Sequence, residues 1–223
     1  GESYIRQIRV GMDFFRSRFG ENNLPKTAVC FDAFGHSRGL VQIVKKCGQE
    51  NYIFMRPYSK YIRPQLELPS EYFYWKGYDG SQIKAFRGTE YNSPLGKAAE
   101  KISTDMERLR DYEETISLWG VGNHGGGPSH KDLTDIENLM KQSDVEIIHS
   151  TPDTFFAENE PCEAWEQSLI SCMPGCYTSM AALKQIYREL EREQFLTEKM
   201  RSAAALRGIC EYPTDTMRGV TED

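Results

Sequence analysis

A carboxylate, an aromatic ring and an imidazole follow a short apolar run near the start of the chain. Asp32 comes directly after the apolar run 28–31, and Phe34 and His36 occupy the next alternate positions. In open α/β sheets, ligands bind beyond the carboxyl ends of the strands, which is where this spacing places Asp32. A carboxylate there can serve a reaction or a metal ion, and a helix cap or an ion-pair anchor is an equally common alternative.

A second polar group follows another apolar run, where residues 122–129 read GNHGGGPS. The three glycines let the backbone approach a ligand closely or adopt a positive φ, whereas a flexible turn is the plain alternative. The lysine spacing of a P-loop is absent. Because both groups follow strands, one cleft could hold both. On residue types alone, Asp32, His36 and His124 fit a three-ligand zinc site, although His36 is better explained as a structural histidine that orders its loop.

The elements that must position these residues follow from the spacing of apolar side chains. The succession of strand 27–31, helix 40–46 and strand 52–55 is the unit of a parallel sheet. A hairpin is predicted over 72–87, with its turn at Tyr78-Asp79-Gly80-Ser81. Further strands are predicted over 115–122 and 145–150. Further helices are predicted over 3–19, 97–112 and 133–140, and two more are predicted to begin at Thr151 and at about residue 181.

Composition excludes several classes of protein. The 223 residues carry a net charge of −6, which argues against a nucleic-acid surface because phosphate binding needs an excess of Lys and Arg. No apolar run approaches the roughly 18 residues that a membrane span requires. Six cysteines are too few for a disulfide scaffold of this length. With no secretion pattern visible, we expect reduced thiols and a cytoplasmic protein.

The segment FDAFGHSRGLVQIVKKCG, residues 31–48, resembles the Asp-x-Phe-Gly-His-Ser segment of glycoside hydrolase family 38, the α-mannosidases. Other stretches resemble the family in the same order, and the glycine-rich one resembles its bacterial and cytosolic branch. These stretches are Gly1-Glu2-Ser3 with Arg6-Gln7, then LPSEYFYWKGYDGSQIKAFR (68–87), GVGNHGGGPS (120–129) and GCYTSMAALKQIYRELE (175–191), the last with Lys184, Arg188 and Glu191 in the family's places.

The resemblance implies an α/β fold in two parts. Residues 1–160 would form a partial parallel-sheet glycosidase domain, similar to a seven-stranded barrel. Residues 161–223 would form the start of a three-helix bundle.

The resemblance also implies a retaining hydrolase of terminal α-mannosides that uses one zinc ion. Asp32 would be both a zinc ligand and the nucleophile, and Phe34 would line the sugar subsite. Retention requires an acid/base group roughly 5–5.5 Å from the nucleophile. Where many relatives carry an aspartate for this role, this sequence has Asn123 and His124, so we predict a substrate contact at Asn123 and an acid/base or substrate-contact role for His124. Less favoured substitutes are Asp105, Asp132 and Glu90.

The family's other zinc ligands come from a His-x-Asp segment upstream and a His-Asp-x-x-Pro-Gly segment downstream, and neither occurs in this sequence. We therefore expect the central fragment of a larger bacterial enzyme, inactive and zinc-poor on its own. Its parent would bind α-mannoside oligosaccharides, without nucleic-acid or membrane partners, and could form a homo-oligomer. Two alternatives remain: a sugar-binding relative without hydrolytic activity, and a different metal-dependent carbohydrate hydrolase such as a deacetylase.

Overall fold

A computed structural model describes residues 1–57, 68–122, 126–169 and 174–222. The chain divides into two compact units, Tyr4–Met173 and Gly1–Ser3 with Pro174–Asp223. The helices are α1 (Glu2–Phe19), α2 (Gly39–Lys46), α3 (Ala98–Arg108), α4 (His130–Gln142), α5 (Pro152–Glu158), α6 (Pro174–Thr178), α7 (Ala181–Leu206) and α8 (Thr214–Glu222). The strands are β1 (Thr27–Cys30), β2 (Asn51–Phe54), β3 (Tyr72–Lys76), β4 (Gln82–Arg87) and β5 (Ala164–Trp165).

The five strands form one sheet in the order β1-β2-β4-β3-β5. Strands β1, β2 and β4 run parallel to one another, and β5 runs parallel to β3. The hairpin partners β3 and β4 are antiparallel. The predicted α/β class with a mainly parallel sheet is confirmed, whereas the barrel and the three-helix bundle stay predictions. Because β1, β2 and β4 share a direction, the loops that follow them leave from one edge of the sheet, called here the carboxyl edge.

The core lies on both faces of this sheet. Strand β2 is buried throughout, and its side chains alternate between the faces, as the two-residue period of a strand requires. Tyr52 and Phe54 pack in a cluster with side chains of α2, whereas Ile53 packs with Phe155 and Phe156 of α5. Each fully buried side chain of this size contributes roughly 1.5–3 kcal/mol. Helices α3 and α4 form a third cluster around Ile102 and Ile136.

Most of the predicted elements are confirmed. The hairpin turn lies at residues 77–81, where the Gly77 N–H donates to the Ser81 carbonyl at 2.8 Å. Thr151 caps α5 by accepting the N–H of Thr154 at 3.3 Å, and Pro152 opens the helix as the sequence indicates.

Two predicted strands are wrong. Residues 115–120 have no regular strand, and pairing in this stretch is confined to single bridges at Val121. Residues 145–150 have no strand either, and Val145 and Ile148 are 58% and 62% exposed. A strand needs a neighbouring ladder, and within the described ranges none lies beside 145–150. Apolar residue types alone are therefore not sufficient to predict a strand here.

The unit built on α7 keeps its own internal contacts. The backbone N–H and hydroxyl of Ser3 donate to Glu191 Oε1 at 3.0 and 2.5 Å, and this hydrogen bonding lowers the pKa of Glu191. Lys184 Nζ donates to the carbonyls of Cys176 and Tyr177 at 3.0 and 2.8 Å.

None of the helices in the described ranges combines the length and apolar character that crossing a membrane needs.

Candidate active site

Asp32 lies two residues beyond the end of β1, at the carboxyl edge. Its carboxylate Oδ1 accepts a short hydrogen bond from Nε of Arg56, which lies two residues beyond β2. Parallel pairing of β1 with β2 brings the two residues together, since Cys30 lies opposite Phe54. The side chain of Asp32 remains 47% exposed, whereas that of Arg56 is 19% exposed. The carboxylate is thus held by one cation and still open to solvent.

Phe34 lies beside this ion pair. The guanidinium carbon of Arg56 is 5.2 Å from the centre of the Phe34 ring, within cation–π range. Phe34 itself is half-buried. The arginine therefore links the acid and the aromatic ring that the sequence singled out.

His36 is a structural residue. It is 5% exposed, and the rings of Tyr52, Phe54 and Trp75 surround it. Its Nε2 donates to the Arg56 carbonyl at 2.8 Å, so Nδ1 is the acceptor for the Tyr52 hydroxyl at 2.7 Å. Burial lowers the pKa of His36, with a smaller opposing effect from the hydrogen bond to Arg56. Both ring nitrogens are engaged in hydrogen bonds, so neither is available to a metal ion. His36 is therefore not a zinc ligand, and the alternative of a zinc site at Asp32, His36 and His124 is wrong at this residue.

Two backbone hydrogen bonds join Val121 and Gly127 across the glycine-rich stretch. The Val121 N–H donates to the Gly127 carbonyl at 2.8 Å, and the Gly127 N–H donates back at 3.2 Å. An added Cβ on Gly126 would lie 2.7 Å from the carbonyl carbon of Gly120, so only glycine fits there. Asn123 and His124, predicted as substrate contact and acid/base group, lie outside the described residues.

The segment after β4, residues 88–92, contacts both the glycine-rich stretch and the loop of residues 31–38 that follows β1, called here the Asp32 loop. Tyr91 stacks on Phe31, the neighbour of Asp32, with ring centres 5.7 Å apart. Asn92 Nδ2 donates to the Gly122 carbonyl at 2.9 Å. Through Tyr91 and Asn92, the described start of the glycine-rich stretch at Gly122 is thus linked to the Asp32 loop.

Comparison with known proteins agrees with this geometry. The family model described as "Glycosyl hydrolases family 38 N-terminal domain" matches residues 1–168. The chain belongs to glycosyl hydrolase family 38.

Relatives of this family 38 chain are much longer than it is. It is 31% identical to "Alpha-mannosidase G" of Dictyostelium discoideum over 217 residues, covering 92% of the chain and 19% of that protein. It is 26% identical to "Alpha-mannosidase" of Saccharomyces cerevisiae over 207 residues, covering 84% of the chain and 19% of that protein. A crystal structure of an alpha-mannosidase from Enterococcus faecalis has the same fold, with a TM-score of 0.55 at 19% identity over 75% of this chain and 20% of the other. The chain thus spans about a fifth of the length of these relatives.

The described residues do not form a metal centre by themselves. Across residues 1–57, 68–122, 126–169 and 174–222, no three His, Cys, Asp or Glu side chains are placed to hold one ion. Asp32 is the expected zinc ligand, and its Oδ1 is bound to Arg56. Since a protein zinc site usually takes three or more side chains, the described part of this family 38 chain does not fit zinc on its own.

Two of the less favoured acid/base candidates, Asp105 and Asp132, are buried carboxylates that accept hydrogen bonds within the protein. Asp105 is 4% exposed and accepts from Thr89, Lys101 and Ser117. Asp132 is fully buried, and the hydrogen bond from the Ser129 hydroxyl lowers its pKa. The same carboxylate accepts the N–H of Ala98 at 3.1 Å, at the start of α3, while Ser129 caps α4 by accepting the N–H of Asp132. The third candidate, Glu90, is exposed.

Sequence reasoning missed Arg56 and Tyr91. Each follows a strand of the parallel set, β2 and β4, as Asp32 follows β1. The strand-end argument that singled out Asp32 could have found both, had it been applied to every strand.

Proposed function

We propose that the native gene product carrying this chain is a retaining α-mannosidase that removes terminal α-mannose from oligosaccharides. The observation that carries the proposal is the half-exposed carboxylate of Asp32 at the carboxyl edge, beside the Phe34 ring. Membership of family 38 and the similarity to alpha-mannosidases support the substrate class.

In the proposed reaction, Asp32 is the nucleophile. A bond forms between its carboxylate oxygen and the anomeric carbon while the glycosidic bond breaks, and the leaving oxygen takes a proton from an acid, for which we propose His124. Water then attacks the anomeric carbon, gives its proton to the same base and releases Asp32. Two inversions leave the configuration unchanged. Phe34 would pack against the sugar, and Asn123 would contact it.

Zinc remains part of the proposal as the cofactor of the complete gene product. Asp32 would supply one ligand, and the others would come from outside this chain. We also propose a cytoplasmic, bacterial location, and neither a nucleic acid nor a membrane as partner.

The test is hydrolysis of an aryl α-mannoside by the complete gene product. We expect turnover with retained configuration at the anomeric carbon. Asp32→Ala should lower kcat by a factor on the order of 10³ or more, as loss of a nucleophile does. Asp153→Ala is a control, because Asp153 lies at the opposite edge, where its carboxylate accepts from Thr27 at the start of β1. Unchanged turnover in Asp32→Ala would refute the assigned nucleophile.

A non-hydrolytic sugar-binding protein is the second candidate. It is favoured by Asn123, which cannot donate a proton as an aspartic acid can. This candidate predicts binding of α-mannosides without turnover by the complete gene product, which calorimetry would detect. The deacetylase-type alternative loses support, because it needs His36 as a ligand and both nitrogens of that ring are engaged.

A further inference from the structure

Arg56 contacts the loop after β1 at four residues. Its backbone N–H donates to the Phe31 carbonyl at 3.2 Å, and its carbonyl accepts from the His36 ring at 2.8 Å. Its Nε donates to Asp32 Oδ1, and its guanidinium lies over the Phe34 ring. One residue thus binds both the backbone and the two functional side chains of the loop.

We infer that Arg56 is a positioning residue, which fixes the Asp32 carboxylate and the Phe34 ring relative to each other. The inference rests on the proposed function, since the carboxylate must be aimed only if it attacks a sugar. The ion pair engages Oδ1, and nearly half of the Asp32 side chain stays exposed. The arginine can therefore hold the carboxylate without closing it off from a substrate.

This double contact suits a guanidinium better than an ammonium. A guanidinium is planar, so its edge can donate to a carboxylate while its face lies over a ring. A lysine ammonium is a compact charge on a flexible stem and lacks this fixed geometry. The charge-assisted hydrogen bond to Asp32 is also directional, and it restricts the rotation of the carboxylate.

The backbone contacts of Arg56 do not depend on its side chain. The bonds to Phe31 and His36 use the peptide N–H and carbonyl and persist when the side chain changes. Side-chain variants are therefore expected to fold, and a loss of activity can be traced to the carboxylate and ring contacts.

The first test compares Arg56→Lys with Arg38→Lys in the complete gene product. Arg38 is a matched control: its side chain is 22% exposed and lies 4.8 Å from the Tyr78 ring, but its Nε donates to the Lys76 carbonyl. With an aryl α-mannoside, Arg56→Lys should lower kcat by roughly 10²-fold, the cost of misplacing a reacting group, while KM changes only a few-fold. Arg38→Lys should stay within about two-fold of the native kcat, since it leaves these contacts intact. Native kcat in Arg56→Lys, or an equal loss in both variants, would overturn the inference.

The second test is chemical rescue. Added guanidinium ion should restore part of the kcat of Arg56→Ala, and added ammonium ion should not. A purely structural role predicts no difference between the two ions, and that result would also overturn the inference.

A third measurement separates this inference from the proposed function. In the chain itself, the Nε–H resonance of Arg56 should move upfield in Asp32→Asn, because the acceptor loses its charge, and should not move in Arg38→Lys. If it does not respond to Asp32→Asn, the contact is absent and the inference fails whatever the activity. If it responds but the complete gene product shows no turnover, the proposed function fails, and the positioning role with it, although the contact stands.

Discussion

Asp32 and Asp105 are two carboxylates close to the carboxyl edge, in opposite surroundings. Asp105, on α3, reaches Thr89, two residues beyond β4, and also accepts from Lys101 Nζ at 2.9 Å and from Ser117 Oγ at 2.6 Å. Its side chain is 6% exposed. Asp32 is bound by one arginine, and 47% of its side chain is exposed.

The difference distinguishes a carboxylate that stabilises the fold, Asp105, from one that can contact a substrate, Asp32. Asp105 Oδ2 already accepts three hydrogen bonds inside the protein, so a substrate would have to break those bonds before it could use that oxygen. The Asp32 carboxylate can meet a ligand with its existing contact in place. Residue type and sequence position do not distinguish the two; burial and the number of donors do.

The largest effect should come from neutralising each carboxylate in turn. Asp105→Asn leaves the largely buried Lys101 without its counter-charge and should lower the free energy of unfolding by about 3 kcal/mol or more. Asp32→Asn breaks a half-exposed pair and should cost about 1 kcal/mol or less. Urea unfolding followed by tryptophan fluorescence measures both, since Trp75, Trp119 and Trp165 all lie in the Tyr4–Met173 unit. Equal losses would erase the distinction.

The position of Asp32 could be predicted from the sequence because it depends on local signals. An apolar run that ends at a carboxylate marks the end of a strand, and the hairpin and the cap at Thr151 depend equally on neighbouring residues. The contact of Asp32 with Arg56 and the hydrogen bonds from Thr89 and Ser117 to Asp105 could not be predicted. They join residues 24 or 12–16 positions apart, across elements whose packing no local pattern encodes.

The failed strand at 145–150 has the same physical origin. Its residue types suit a strand, but a strand also depends on a partner, and partners are set by topology. The buried role of His36 was anticipated from the sequence, but its two hydrogen-bond partners needed the structure.

A smaller change in the free energy of unfolding is expected for substitutions in the glycine-rich stretch. It shows whether this stretch is tightly packed, like the surroundings of Asp105, or exposed, like those of Asp32. A Cβ on Gly126 would meet the backbone of Gly120 and Val121 at 2.7–2.8 Å, whereas a Cβ on Gly127 would meet nothing within 4 Å. Gly126→Ala should therefore lower the free energy of unfolding by about 1–3 kcal/mol, as overpacking does. Gly127→Ala, the adjacent control, should change it by less than about 0.5 kcal/mol. Equal effects in the same urea assay would mean that the stretch is as open as Asp32.

The smallest expected effect is the pH dependence of the free energy of unfolding that comes from His36, the buried residue of the Asp32 loop. Burial lowers its pKa, so at mildly acidic pH the unfolded chain takes up a proton that the folded chain does not. The stabilisation is therefore complete above the unfolded pKa of about 6.5 and is lost as the pH falls below it, by at most about 1.4 kcal/mol per pH unit. The groups facing the ring are the Tyr52 hydroxyl, whose pKa is raised by burial, and the Arg56 carbonyl, and neither supplies a negative charge that would favour protonation. Urea unfolding at pH 7.5 and 5.5 should show a loss, at most about 1.4 kcal/mol, that His36→Gln removes and His130→Gln, at an exposed position, retains. If His36→Gln does not fold, the imidazole resonances of the native chain report the same quantity, and a midpoint at or above 6.5 would show that His36 is as open to solvent as Asp32.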